Sequence, residues 1–188
     1  RSYSVTGVQT CALPIFVNHR LAEFYGLSAD AAEDFVEVPL DPRERSGVLT
    51  HPYLLAAFSY QKSTSPIHRG VFLTRNIVGR ALKPPPVAVA FKDAEFAPNL
   101  TMREKVAELT RPQACQSCHS VINPLGFSLE HYDAVGRFRT SDNDRPVNAE
   151  SDYTTDEGRT IRLTGARDVA EFAARSEQIG RASCRERV

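Results

Sequence analysis

The sequence predicts a mainly α domain, built from short irregular helices joined by long loops, with a small β element near the C-terminus. Apolar residues recur at helical spacing in several short windows. Helix-start signals stand at Ser65-Pro66 and at Thr101-Met102-Arg103-Glu104. A window that alternates as a strand does, Thr160-Ile161-Arg162-Leu163, comes late in the chain.

Val17, Leu21 and Phe24 share one helical face, and Gly26 follows as a stop, so Phe16 to Tyr25 reads as the tail of a helix. Pro39, Pro42 and Gly47 punctuate a loop. Val48 to Phe58 is apolar enough for a short buried helix, with Pro52 tolerated in its first turn because that amide has no intrahelical partner. From Ser65-Pro66 a clearer helix carries the stripe Ile67, Val71, Val78 and Leu82 as far as Lys83-Pro84-Pro85-Pro86. The prolines favour a stiff extended run to about Val89. The capping-box pattern at Thr101 starts a helix from Met102 to about Leu109, bounded by Pro112. Asn123-Pro124-Leu125-Gly126 reads as a turn, Phe127 to Val135 as a helix ended by Gly136, and Asp156-Glu157-Gly158-Arg159 as a turn before the strand. Ala166 to Ala174 is amphipathic.

The two ends stand apart from this pattern. Val5 to Ile15 and Gln178 to Val188 back-translate into the two partners of a common short-read sequencing adapter, each at the correct end. Segments 1-15 and 178-188 are therefore expected to be adapter artefacts, with the biological insert running from Phe16 to Glu177 and continuing beyond both. Those ends hold Arg1, Arg181, Arg185 and Arg187 against Glu186, so the 23 basic and 23 acidic side chains become 19 and 22. A mildly acidic insert with no basic run has no electrostatic footprint for nucleic acid. No apolar run approaches the roughly 20 residues that cross a bilayer. Of the four cysteines, Cys11 and Cys184 belong to the adapter ends, leaving Cys115 and Cys118.

Those two sit in Cys115-Gln116-Ser117-Cys118-His119. Cysteines three apart on a helical turn face the same side, so both thiols can add to the vinyl groups along one haem edge, and His119 is carried beneath the iron as proximal ligand. Zinc would need a second ligand pair, yet the other histidines are isolated at His19, His51, His68 and His131. A thioredoxin-like dithiol would need a preceding strand, and none is legible. A ligating histidine donates its other ring N–H to an acceptor that fixes its orientation; the carbonyl of Pro124 or a neighbour is the expected one. The sixth position separates an electron carrier from a peroxidase-like site. Its candidates are Met102, the only methionine, and His131, the only histidine after the motif.

Several ordered motifs flank this core. Arg45-Ser46-Gly47-Val48-Leu49-Thr50, Thr64-Ser65-Pro66-Ile67-His68-Arg69-Gly70-Val71-Phe72 and Pro84-Pro85-Pro86 come first; Cys115 to His119, Asn123 to Phe127, Leu129-Glu130, Tyr132-Asp133, Gly136 and Arg139 follow. Together they resemble the planctomycete-type domain of unknown function 1588, whose pattern runs RxGLLT, TSPxxRGxW, PPPP and CxxCHxxxDPLGFxLExFDxxGxxR. Residues 16-38 resemble the end of domain of unknown function 1592, a helical domain, and 140-177 the start of domain of unknown function 1585, a small α+β domain. The central unit, 39-139, is then the haem-c domain. Asn123 stands where the pattern has Asp, and His131-Tyr132 where Asn-Phe is usual, which puts in doubt a charged partner for His119 and a shared role for His131.

The resemblance implies a large multidomain protein with covalent haem c, passing single electrons to or from a redox partner or a second haem domain of the same protein. Haem attachment of this kind is completed outside the cytoplasm, which implies a periplasmic or extracellular location. No residue is assigned as catalytic. Arg69 is a candidate contact for a haem propionate, while Glu130, Asp133 and Arg139 read as a local ion-pair cluster. Two alternatives stand beside the electron carrier: a haem peroxidase or oxidase half-site with an open distal position, and a non-haem interaction module with a disulfide between the two cysteines.

Overall fold

A computed structural model describes residues 15–27, 34–45, 47–83 and 90–176. Helices dominate among them, accompanied by three two-stranded antiparallel sheets. The adapter-like ends, apart from Ile15, and the polyproline run Pro84 to Val89 lie outside the described residues.

The chain enters through β1 (Ile15–Val17), turns at Asn18 into α1 (His19–Tyr25), and returns as β2 (Val36–Val38), which pairs with β1. The expected helix is thus shorter at its start, where Ile15 to Val17 pair as a strand. Its end is as the sequence indicates: Gly26 takes φ +67° and its N–H caps the carbonyls of Ala22 and Glu23. A 3-10 turn, Gly47–Thr50, precedes α2 (Pro52–Ala57), which has Pro52 in its first turn. Only Leu55 of α2 is buried, and Tyr53 is exposed, so this helix lies on the surface rather than inside.

α3 (Pro66–Phe72) begins where the sequence places it, with Ser65 Oγ accepting from the His68 N–H. It does not run on to Lys83. A π-helical turn, Leu73–Ile77, follows, and Gly79 at φ +76° lies beyond it. The buried face also differs from the apolar stripe: Pro66, Arg69, Gly70, Leu73 and Thr74 point inward, and one of these is an arginine. α4 (Met102–Leu109) has the full reciprocal capping box, Thr101 with Glu104.

α5 (Gln113–Phe127) is the main correction to the sequence reading. Asn123 to Gly126, expected as a turn, continue the helix through Pro124, and of Phe127 to Val135, expected as a helix, only Phe127 is helical while the rest leaves α5 in successive tight turns. A proline inside a helix forfeits one bond and crowds the preceding turn, at about 3 kcal/mol. The compensation is a close crossing. Gly70 of α3 and Gly126 of α5 lack the side chains that would separate the two backbones: a Cβ on Gly70 would stand 2.2 Å from the Ile122 carbonyl oxygen. Only the C-terminal half of α5 is buried, through Val121, Ile122, Leu125 and Phe127. Its N-terminal half stands clear of the core.

After α5, β3 (Ser141–Asp142) and β4 (Arg145–Pro146) form a hairpin around Asn143 and Asp144, both at positive φ as a two-residue turn of this hand requires. β5 (Ser151–Thr154) pairs with β6 (Thr160–Leu163), and α6 (Ala166–Arg175) closes the described chain. The late strand and the amphipathic helix are as the sequence indicates. The main core gathers Leu49, Leu55, Leu73, Val121, Leu125 and Leu129 with Tyr153, Leu163 and Val169, and a smaller cluster joins Met102, Val106 and Phe127.

Candidate haem-attachment site

Cys115, Cys118 and His119 all lie in the first half of α5. At 3.6 residues per turn they fall within an arc of about 100°, so one face of the helix presents both sulfurs and the imidazole. All three are half-buried, and both thiols are free. A porphyrin supplies four of the iron's ligands itself, so this donor set of two thiols and one imidazole suits haem c. Among the described residues no three His, Cys, Asp or Glu side chains converge as a metal site.

What orients His119 is not the backbone carbonyl of Pro124, which accepts from the Ser128 N–H at 3.3 Å. It is the neighbouring side chain: His119 Nδ1 lies 2.9 Å from Asn123 Oδ1, one helical turn on. Asn123 is buried, and its Nδ2 donates to Thr110 Oγ1 at 2.8 Å. The Thr110 hydroxyl donates to the Val106 carbonyl at 2.8 Å, and the Thr110 carbonyl accepts from Gln116 Nε2 at 2.5 Å. Thr110, Gln116 and Asn123 were not singled out from sequence as one group. The signal for Asn123 was its place four residues after His119, which matters only once the segment is known to be helical.

The two candidates for the sixth ligand are not brought to this site. Met102 is buried against Val106 and Phe127. Phe127 lies eight residues beyond His119, roughly 12 Å along the helix axis at 1.5 Å per residue. His131 comes after the end of α5, stacked on Phe138 with ring centroids 5.3 Å apart, and its Nδ1 lies 3.0 Å from the Arg139 carbonyl. A hollow of about 340 Å³ lies against Met102, Lys105, Arg139 and Asp142, and a larger one of about 760 Å³ lies between the β5–β6 hairpin and α6. Neither is lined by the Cys–His segment.

The remaining motif residues build the scaffold beneath. Arg69, fully buried, donates to the carbonyls of Leu129, Tyr132, Leu55 and Asp133 and to Ser59 Oγ, at 2.7 to 3.2 Å. It is a clamp on the chain leaving α5, not a group reaching toward a propionate. Burial pulls its pKa down to about 10, a change that the nearby Glu130 opposes. Glu130 pairs with Arg139 at 3.1 Å and accepts from Thr64 Oγ1 at 3.3 Å, both on Oε2, while Oε1 has no partner among the described residues. Burial raises the Glu130 carboxyl to about 7 in spite of Arg139 and Arg69. The ion-pair cluster read from sequence thus forms between Glu130 and Arg139, with Asp142 as its third member at 2.6 Å from Arg139. The Asp133 carboxylate instead accepts the N–H groups of Val135 and Arg137. Arg45 closes the far side, donating to the carbonyls of Thr50 and Gly136 with its guanidinium over the rings of Tyr25 and Tyr132.

The pattern of residues that forms this clasp, and the Cys–His segment above it, are matched together. No curated protein and no solved structure matches the chain. The match of residues 45–142, just over half of the chain, to the family described as PSCyt3, protein of unknown function (DUF1588), covers every motif residue from Arg45 to Arg139. On that match the chain belongs to the PSCyt3 family (DUF1588), whose name marks a cytochrome c-like domain.

Proposed function

We propose that this chain carries a c-type haem held by thioether bonds to Cys115 and Cys118, with His119 as proximal ligand, and that it passes single electrons. The observation that carries the reading is the contact between His119 Nδ1 and Asn123 Oδ1, which leaves Nε2 as the ring nitrogen available to a metal, on the same helix as the two thiols. A ligating histidine has one ring nitrogen held by a partner and gives the other to the metal, and His119 has the first of these in place. When bound, the haem supplies an iron that alternates between ferrous and ferric states. The protein's part is to anchor the porphyrin edge, hold the imidazole in one orientation, and fix α5 on α3 so that the donors stay in register. Residues 16-38 and 140-177 are read as parts of flanking domains of a larger extracytoplasmic protein, whose second haem or separate redox partner exchanges the electron. Among the described residues no helix is long and apolar enough to cross a membrane.

The placement of Met102 and His131 away from His119 favours a second reading, a peroxidase or oxidase half-site with an open distal face. The two are separated by the ferric spectrum, six-coordinate low-spin for the carrier and five-coordinate high-spin with peroxide turnover for the enzyme. The primary test is expression of the full chain with cytochrome-maturation machinery followed by denaturation. Haem is expected to stay with the polypeptide, and to be lost when both Cys115 and Cys118 are changed to serine. A colourless protein whose two thiols alkylate freely would rule the reading out.

A further inference from the structure

Thr110 stands where α4 ends and is almost completely buried. A hydroxyl owns one proton, and here it is committed to the Val106 carbonyl at 2.8 Å. Its oxygen can therefore only accept from Asn123, and the group that faces it must be the amide's NH2 end, at 2.8 Å. The amide's carbonyl end is then the one that faces His119 Nδ1 at 2.9 Å, and a carbonyl can only accept. The imidazole must supply the proton. The direction of every hydrogen bond from the end of α4 to the ring is fixed by the first of them, because the alternative flip of the amide would turn its carbonyl oxygen toward Thr110 Oγ1, whose one proton is already given to Val106.

We infer that Thr110 and Asn123 are positioning residues that hold His119 as its Nδ1–H tautomer and set how strongly Nε2 donates to an iron, with the uncharged amide making the site more oxidising than a carboxylate would. The inference rests on the haem reading for its redox consequence, though its tautomer consequence does not need haem. An amide accepting the Nδ1 proton withdraws less of it than a carboxylate does, so the ring stays less electron-rich and the ferrous state is less disfavoured. Gln116 adds a strut: its bond to the Thr110 carbonyl ties the thiol-bearing turn to the same residue.

Two measurements test this on the full chain. In the haem-loaded protein, Asn123→Asp is expected to shift the oxidised-to-reduced equilibrium about tenfold toward oxidised, which is about 59 mV lower in potential for one electron. Asn123→Leu should shift it the other way, Thr110→Val should do so more weakly, and Thr110→Ser should restore the parent value. In the haem-free protein, nitrogen NMR of His119 with the imidazole neutral should report Nδ1–H in the parent and in Thr110→Ser, with a shift toward Nε2–H in Asn123→Leu. Retained haem with Asn123→Asp within twofold of the parent equilibrium would overturn the proposal, as would an unchanged tautomer in Asn123→Leu. Absence of covalent haem together with the expected tautomers would leave the relay standing and remove the electron-carrier reading instead.

Discussion

A Cβ on Gly126 would stand 2.0 Å from the carbonyl oxygen of Pro66, closer than any side chain allows. That carbonyl belongs to the first turn of α3, so relief would require one helix to move off the other. Because α5 carries the thiols and the imidazole, this contact sets where they stand.

Gly126→Ala and Gly70→Ala are therefore expected to lower stability by about 2 kcal/mol or more, although alanine in place of a helical glycine ordinarily gains up to about 1 kcal/mol. Urea denaturation of each variant measures it. A midpoint equal to that of the parent would show that the helices can separate without cost.

Arg69 satisfies four carbonyls and a hydroxyl from inside the protein. Arg69→Met takes a charged donor from each of these acceptors, leaving Leu129 and Leu55 with one other donor apiece, and should cost about 3 kcal/mol or more. Arg69→Lys should recover little of it, since one ammonium cannot span the places a guanidinium fork reaches. If thermal unfolding found the lysine variant as stable as the parent, the fork geometry would not be what matters.

Glu130 makes stability depend on pH in an unusual direction for a carboxyl. Its folded pKa, about 7, lies above the ordinary value of 4.5, so between those limits the folded protein keeps a proton that the unfolded chain has released. Stability from this group is complete below pH 4.5, falls as pH rises, and is lost above 7, by about 3 kcal/mol in all. Glu130→Gln removes the dependence. Its stability relative to the parent, by urea denaturation at pH 5 and pH 8.5, should rise with pH. A difference that stays constant across that window would contradict the assignment.

Met102 and His131 both have their contacts away from His119. Met102→Leu conserves volume in the cluster with Val106 and Phe127, and should cost less than about 1.5 kcal/mol. Neither this change nor His131→Ala should alter the visible spectrum of the haem-loaded chain, because both side chains are engaged elsewhere. Loss of a low-spin spectrum in one of them would identify it as the sixth ligand.

Much of this was legible in the sequence where the signal is local. The capping box at Thr101 and Glu104, the Ser65-Pro66 helix start, the Gly26 stop and the late strand depend on a few adjacent residues, and they stand where those residues place them. What was not legible depends on partners far along the chain. Pro124 ordinarily ends a helix, and the glycine crossing that keeps α5 intact pairs Gly126 with Pro66 across some sixty positions. Arg69 reads as a candidate propionate contact until the carbonyls of Leu129, Tyr132 and Asp133 are seen to turn toward it. The candidate site divides the same way. Cys115, Cys118 and His119 announce themselves by spacing, whereas Asn123 and Thr110 matter only because a helix and its neighbour bring them together.

The clasp of Arg45, Thr64, Arg69, Glu130 and Arg139 has a consequence for how the family's signature is to be used. These side chains spend their hydrogen bonds on the protein's own carbonyls, on one another, and on Ser59 and Asp142. A chain could keep all five, fold correctly, and yet have lost its cysteines. Such a chain would be a relative in architecture without the residues proposed to hold the haem, and only the spelling of the first two turns of α5 would tell the two apart.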